Sequence, residues 1–428
     1  MDNKMSNKKR NIKSITLGCR FNFYESEVSK AIIKSLDPND DVIIINTCAV
    51  TKQAENQSKQ AVRKAIRESN GAKVIVTGCA LATCKDYFNN LDGVYSVIDN
   101  DKKDKISSYT SLPHNKDVSN ININFNDVYN IDIAEDMFNN RVRVFLQIQT
   151  GCNNFCSYCI VPFARGKSIS LPLDVIIDKV KYFVNNGFKE IVLSGIDITS
   201  YNIDNIKLHD VIKKILKECP TLERLRISSM NPNGISSKLF DLITNEPRIL
   251  PHLHLSIQSG NNEVLKSMRR NYTREFVLDL IDKLKKSKEN LVIGADIIAG
   301  YPMETDEYFN NTIDFIKTSG ISLLHVFPFS PRPMTLAAKM LQIPRNIIKE
   351  RAFILRELAS TIKNNLLNSL INTKVNGLIE KCENNISYGK TDNYLEFAIK
   401  TPIEINTVMK NMQVIGVEND KLLCTVMG

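Results

Sequence analysis

Gly151-Cys152-Asn153-Asn154-Phe155-Cys156-Ser157-Tyr158-Cys159 follows an alternating apolar run, Val142–Gln149, and the reading of this stretch decides the rest of the chain. The run has the period-2 pattern of a strand, so the cysteines fall on the loop that leaves its C-terminal end. With 10 cysteines in 428 residues, three at these offsets arise by chance about 0.005 times per chain, roughly 0.023 cubed over some 420 starts. The C-x3-C-x2-C spacing is not a zinc pattern, because no second pair or nearby histidine completes four ligands. A short loop can instead wrap three thiolates around three corners of a cubane iron–sulfur cluster and leave the fourth iron open.

Downstream, strand patterns recur at Glu190–Asp197, Arg224–Met230, His252–Ser259, Leu291–Gly300 and Leu323–Ser330, with helical patterns such as Leu173–Asn185 and Arg274–Lys288 between them. With the strand before the cysteines this predicts about six strand–helix units, fewer than the eight of a closed barrel. An open barrel leaves a lateral mouth for a large substrate. Active-site groups of such sheets gather at the C-terminal strand ends. There the chain carries Ser194-Gly195-Ile196-Asp197, Ser228-Ser229, Gln258-Ser259-Gly260, and Asp296 with Gly300. Each polar residue alone also suits a strand cap or turn; their recurrence at one end singles the group out. His252 and His254 share a strand face with Ser256 and Gln258, where core packing competes with catalysis.

Upstream, Ser14–Cys19, Asp41–Cys48, Ala72–Cys79 and Tyr95–Asp99 read as strands, and Glu25–Leu36 and Ala54–Ser69 as helices. Apolar runs alternating with amphipathic helices predict a parallel sheet with helices on both faces. Cys19, Cys48 and Cys79 each end a strand, in L-G-C, N-T-C and T-G-C. Ligand sites of open parallel sheets lie outside those carboxyl ends, so the three thiols converge on one point. Three buried structural thiols and a zinc site are the competing readings. Zinc lacks a fourth ligand, and three thiolates with one position open suit an iron–sulfur cluster. Cys84, Cys219, Cys382 and Cys424 have no partner at ligand spacing and read as small buried hydrophobes.

A composition of 43% hydrophobic and 24% charged residues is that of a soluble globular protein. The polar start, MDNKMSNKKRNIKS, lacks a signal-peptide core, and no apolar run approaches the roughly 20 residues that span a bilayer. A cytoplasmic protein without a membrane partner is expected. There cysteines serve metals or catalysis rather than disulfides. The net charge of +9 leaves room for a polyanion such as RNA without establishing one. Asp101–Asn140, rich in Asn, Asp, Lys and Ser, reads as a linker or irregular edge, with Pro113 and a solvated His114. Lys374–Val426 shows short strand patterns with Gly377, Gly389 and Gly416 placed at turns; its six Lys against seven Asp or Glu give no basic excess. Tyr388, Tyr394 and Phe397 are candidates for base stacking, although core packing competes for at least one of them.

The two cysteine sets, together with L-G-C-R-F-N-F-Y-E-S-E, N-T-C-A-V-T, the loop Q-T-G-C-N-N-F-C-S-Y-C-I-V-P-F-A-R-G, H-L-H-L-S-I-Q-S-G, M-R-R-N-Y-T, D-I-I-A-G-Y-P-M-E-T and H-V-F-P-F-S-P-R-P-M-T, resemble the radical S-adenosylmethionine (SAM) methylthiotransferases over nearly the whole length. The resemblance implies an α/β chain: an N-terminal open parallel α/β sheet domain at 10–122, a linker at 123–137, a central partial (β/α)6 radical-SAM barrel at 138–366, and a small C-terminal β-barrel of the TRAM type at 367–428. It implies two 4Fe-4S clusters, one on Cys152, Cys156 and Cys159 that cleaves SAM to a 5′-deoxyadenosyl radical, and one on Cys19, Cys48 and Cys79 that donates sulfur. Tyr158, Gly195, Asp197, Ser229, Gln258 and Asp296 become the expected SAM contacts. The partners implied are the anticodon stem-loop of a tRNA and an electron donor such as flavodoxin or ferredoxin.

N-T-C-A-V-T followed by Q-A-E-N-Q-S-K-Q-A-V-R-K looks most like the enzymes that add a methylthio group to C2 of N6-threonylcarbamoyladenosine beside the anticodon. Enzymes acting on N6-isopentenyladenosine, or on an aspartate of ribosomal protein S12, are the alternatives. A cluster-containing RNA-binding or sensor protein without turnover is the alternative of another class. The chain departs from the family in three places. Gly195-Ile196-Asp197 stands for Gly-Gly-Glu, Ile169 and Leu171 fall where tRNA relatives carry arginines, and Met303 and Met334 fall where glycine is usual. Loss of arginines weakens phosphate contacts one at a time. The basic surface is expected on segments such as Lys266–Arg274.

Overall fold

β-Branched and apolar residues alternate over four short strands that pair in parallel, in the order β1 (Ile12–Thr16), β2 (Val42–Thr47), β3 (Lys73–Gly78), β4 (Val94–Ile98). The computed structural model describes residues 10–113 and 142–426. These form two compact units; the first holds the described residues before 114 together with 159–166 and 332–334. The expected linker, its boundaries at 122, 123, 137 and 138, and His114 lie outside the described residues.

Period-2 alternation splits the first sheet into two faces. Ser14 and Thr16 turn toward α1 (Arg20–Ser35), bonding Glu27 and Ser26. Ile15, Ile45, Val74 and Val76 pack with Val62 and Ala65 of α2 (Lys52–Arg67) and with Leu81 and Phe88 of α3 (Leu81–Asn89). Helices therefore cover both faces, as expected. α1 begins at Arg20, five residues before the helix read from the sequence, because Phe21, Tyr24 and Val28 already sit one helical turn apart and are buried.

The second unit builds six parallel strands: β5 (Arg143–Thr150), β6 (Glu190–Gly195), β7 (Arg224–Ile227), β8 (His252–Gln258), β9 (Val292–Ala299) and β10 (Leu323–Pro328). β7-β6-β5 and β8-β9-β10 pair as two sheets, joined by parallel bridges Leu225–Ile249 and Met230–Leu255. The result is the curled, open half-barrel the sequence predicts. Leu146, Leu193, Leu225, Leu255 and Ile297 face the surrounding helices and form the core. Alternation turns Arg143, Glu190, Arg224, Arg226, His254, Asp296 and His325 to the opposite, concave face.

Register puts Glu190 directly opposite both Arg143 and Arg224. Glu190 is fully buried and ion-paired to Arg143 (2.8 Å), Arg224 (2.9 Å) and Arg226 (2.8 Å). Burial raises its carboxyl pKa, but the three guanidiniums outweigh that and hold it well below the ordinary range. The same arginines reach the C-terminal barrel. Arg226 donates to the carbonyls of Thr391 (3.0 Å) and Asp392 (2.8 Å), Arg224 and Arg143 pair with Asp392 and Glu380, and His252 stacks on Tyr394.

That barrel is closed: Lys374–Glu383, Ile386–Thr391, Glu396–Ile399, Lys421–Thr425 and Val408–Glu418, in spatial order. Its glycines correct the sequence reading. Gly377, Gly389 and Gly416 lie inside strands. Side chains at Gly377 and Gly389 would strike the ring of Phe397, and Gly416 marks a bulge. The tight turns use Asn384-Asn385 and Asn419-Asp420 instead, all with positive φ. Phe397 fills the barrel core and is closed to RNA bases.

Met334 has φ +68° and is half exposed, which explains why glycine suits that position; Met303 has no positive φ. Met334→Gly is expected to stabilise the protein by about 0.5–1 kcal/mol, read as a rise in denaturation midpoint. Glu190→Gln is expected to cost about 3–5 kcal/mol, because it strands three buried guanidiniums. Since the folded-state pKa of Glu190 lies below its unfolded value, its contribution is present above about pH 4.3 and fades as pH falls further. The stability gap between wild type and Glu190→Gln therefore narrows in acid, which urea unfolding across pH 7 to 3 measures.

Candidate functional site

In the first unit, Cys48 and Cys79 come one residue after β2 and β3, and Cys19 three residues after β1. Gly18, at φ +91°, makes the approach possible: a Cβ there would lie 2.6 Å from Cys48 Sγ. Burial pushes the Cys48 thiol up to about 11, and the neighbouring Cys79 and Cys19 push the same way. The three strand-end cysteines are thus one constellation, none of them in a disulfide. Asn22 ties two strand ends together, donating to the carbonyls of Leu17 (2.8 Å) and Thr47 (3.0 Å). Cys84 is apart from this set, its thiol on the Ala80 carbonyl at 3.0 Å.

Arg165, of the A-R-G that follows the loop, is buried beside these thiols and was not singled out from the sequence. It pairs with Glu25 (2.7 Å), bonds Asn22 (2.6 Å) and lies over the ring of Phe21. Burial pushes the Cys19 thiol up, and the Arg165 charge works against that push. Three soft donors, an adjacent cation and a fourth side left to a ligand are the donor chemistry an iron–sulfur cluster requires. A second buried pair, Glu55 with Arg332, joins the segment after N-T-C-A-V-T to S-P-R-P and explains why both carry charge in a core.

In the second unit, the Cys152 loop leaves the end of β5. Burial, Asp197 and Cys156 raise the Cys152 thiol, so these groups lie together. Cys156 is buried and accepts from Arg270 Nη1 at 3.3 Å. Arg270 in turn bonds Asn231 (2.8 Å) and the Ser256 carbonyl (2.7 Å). Ser157 pins the loop through its backbone N–H to Met268 O (3.2 Å) and its hydroxyl to Ser267 O (2.8 Å). Tyr158 packs in a small apolar cluster with Met268, Tyr301 and Phe329. Thiols held this way, with an N–H aimed at sulfur, fit the loop to a cluster.

The expected cofactor residues gather at the C-terminal strand ends. Asp197 accepts from Asn154 of the loop (2.7 Å) and from Thr199 (2.7 Å). Gln149, which sequence reasoning passed over, accepts from the Asp197 N–H (3.0 Å) and donates to Gly151 O (2.8 Å) and Ser168 (2.9 Å). Its signal was present: Gln149 follows the alternation that puts Arg143 and Gln147 on one face of the strand, at the end next to the cysteine loop. Gln258 takes φ +77° at a register shift while buried, a conformation costing about 1–3 kcal/mol that structures keep at functional sites. Ser229 follows β7, and Gly195 N–H meets Ser228 Oγ at 3.3 Å.

Asp296 differs from the other five. It stands mid-strand, further into the concavity, and its Oδ1 meets His254 Nε2 (2.8 Å) and His325 Nδ1 (3.4 Å). Burial raises its carboxyl pKa, but the two imidazoles prevail and lower it to about 2. Of the basic segment, Arg270 is turned inward and Arg274 pairs with Asp314, leaving Lys266 and Arg269 exposed.

A sheet of six curled parallel strands, with three thiols on its first loop, defines a radical-SAM enzyme. Residues 146–316 match the radical SAM superfamily, and residues 11–98 match the uncharacterized protein family UPF0004. The threonylcarbamoyladenosine tRNA methylthiotransferase MtaB of Rickettsia prowazekii is 39% identical over 96% of each chain. The tRNA-2-methylthio-N(6)-dimethylallyladenosine synthase of Endomicrobium trichonymphae is 30% identical over 88% of this chain and 90% of its own. Among solved structures, the radical SAM methyltransferase TsrM of Kitasatospora setae shares the fold, with TM-score 0.52 at 12% identity over 75% and 74% of the two chains. This chain belongs to the radical-SAM methylthiotransferase family, enzymes of the transferase class that use SAM and 4Fe-4S clusters.

Replacing either set, Cys19/Cys48/Cys79 or Cys152/Cys156/Cys159, by alanine is expected to leave about four of about eight irons per chain. Anaerobic reconstitution followed by iron analysis measures this.

Proposed function

We propose that this chain adds a methylthio group to C2 of N6-threonylcarbamoyladenosine beside the anticodon of tRNA, in the cytoplasm. The observation that supports the reading is two separate sets of three cysteines, one at the strand ends of the first sheet and one on the loop that follows β5, in a chain most similar among the relatives above to a threonylcarbamoyladenosine enzyme. When bound, the cluster on Cys152, Cys156 and Cys159 supplies the electron that cleaves SAM, and that on Cys19, Cys48 and Cys79 supplies the sulfur.

The chain's own residues position and shield. Arg270 and Ser157 hold the Cys152 loop against the strand ends, and Gln149 locks Asp197 to the start of that loop. Asp197, Gly195, Ser229, Gln258 and Tyr158 line the SAM site in this proposal, with Asp296 at its inner limit. Fixed polar groups around a dry site hold the reacting atoms in line and keep water from the radical. The C-terminal barrel, with Tyr388 and the exposed Lys266 and Arg269, contributes to tRNA binding. A small cytoplasmic reductant such as flavodoxin or ferredoxin delivers the electron. Among the described residues no helix is long and apolar enough to cross a membrane.

In a strain lacking this gene, mass spectrometry of digested tRNA is expected to show loss of the methylthio group from threonylcarbamoyladenosine and its retention on isopentenyladenosine. Retention on both, with a change in ribosomal protein S12, would overturn the tRNA reading. Failure of the reduced, iron-loaded protein to make 5′-deoxyadenosine would turn it into a non-catalytic cluster protein.

A further inference from the structure

His254, Asp296 and His325 come from three neighbouring strands, β8, β9 and β10, and their ligating atoms lie within 4.8 Å of one another. Register sets Asp296 opposite His325 and His254 opposite Gly294. Only glycine fits there, since a Cβ on Gly294 would lie 2.6 Å from His254 Nδ1. The ring of His254 is thereby laid flat across β9, its Nε2 on Asp296 at 2.8 Å. His325 packs beside it, ring centroids 4.8 Å apart, and turns Nδ1 toward the same carboxylate oxygen at 3.4 Å. Its side chain is 62% exposed, against 12% for His254 and 20% for Asp296.

Three features give the cluster a direction. Among the described residues β10 pairs only with β9 and is the last strand of the curl, so the exposed ring stands at its open edge. His254 spends Nε2 on Asp296, its Nδ1 edge lies against the Gly294 backbone, and its side chain is largely buried, so this residue backs the pair rather than meeting a ligand. In His325, Nδ1 belongs to Asp296, and Nε2 on the far side of the ring is left for what enters. A carboxylate behind an imidazole favours the imidazolium and fixes its orientation, so that the outer N–H is presented to an acceptor.

Resting on the function proposed above, the substrate's substituent supplies that acceptor: a threonylcarbamoyl group ends in a free carboxylate, whereas a dimethylallyl group is hydrocarbon. We propose that His325, positioned by Asp296 and His254, binds the free carboxylate of the threonylcarbamoyl group and selects it over an apolar N6 substituent. A site built to hydrogen-bond a polar group rejects the analogue lacking it, because its own N–H is then left unpaired.

The test uses the full-length, reconstituted enzyme with SAM, a reductant and two anticodon stem-loops. One carries threonylcarbamoyladenosine, the other its methyl ester, which removes the charge and keeps the shape. Wild type is expected to prefer the free acid about 10- to 100-fold in kcat/KM, the range for a hydrogen bond to a charged group. His325→Gln is expected to lose that preference, falling by the same factor on the acid and by less than about 3-fold on the ester. Its iron content and melting temperature stay those of wild type, because the ring is exposed. Asp296→Asn, which removes the charge behind His325, loses the preference as well. Equal losses for His325→Gln on both substrates would overturn the proposal while leaving the function intact. So would a stoichiometric non-iron divalent metal, present in wild type and lost in His325→Gln, which would make the cluster a metal centre. A wild-type enzyme inert on both stem-loops but active on one bearing dimethylallyladenosine would overturn the substrate reading and the proposal together.

Discussion

A carboxylate facing three guanidiniums closes the inner end of the curled sheet, and much of the second unit is organised around it. Glu190 takes Arg143 and Arg224 from directly opposite positions on both neighbouring strands, so the pairing works only in one register. A slip of β6 by one residue would turn Glu190 to the apolar side and take it from all three arginines. Arg224 and Arg226 also hold Thr391 and Asp392 of the C-terminal barrel. A buried network of this kind adds less stability than its Coulomb energy implies, because desolvation takes most of it back. Its effect here is register and docking, with both fixed by the same few atoms.

From that floor outward, the concave face is arranged in layers. Above the arginines lie His254, Asp296 and His325, and above them Gln149, Asp197, Gln258 and the thiol loop at the strand ends. Each strand contributes an inward residue at every second position, so depth in the site is set by position along the strand. A mid-strand residue cannot take part at the rim. The grouping of Asp296 with two histidines, rather than with the strand-end serines, follows from this spacing.

The six strands, the two sets of cysteines and the open parallel sheet were legible in the sequence because each rests on a local pattern. Period 2, apolar content and cysteine offsets survive without knowledge of what lies across the sheet. Other features were not legible, for a common reason. Arg165 beside Cys19 and Cys79, Gln149 behind Asp197, and Glu55 against Arg332 are pairings between segments far apart in the chain. A polar residue in an apolar stretch announces that a partner exists but not which one. The barrel glycines failed differently: glycine marks both turns and close backbone approach, and Phe397, which decides between them, is distant in sequence from Gly377.

The two sets of thiols differ in how they are built, and the difference bears on the roles proposed for them. Cys152, Cys156 and Cys159 come from one short loop, so their spacing is set by covalent geometry and the surroundings need only pin the loop. Cys19, Cys48 and Cys79 come from three separate strand ends, so they meet only if the sheet is folded, with Asn22 bridging the carbonyls of Leu17 and Thr47 and Gly18 admitting Cys48. A site made from a folded sheet keeps its thiols in place when one side of the bound group is consumed or exchanged. A loop site owes less to the sheet's integrity and suits a group that keeps its own atoms while it passes an electron to a bound cofactor. The construction of the two sites thus argues for a division of labour, with the sheet-built site presenting sulfur and the loop-built site starting the radical.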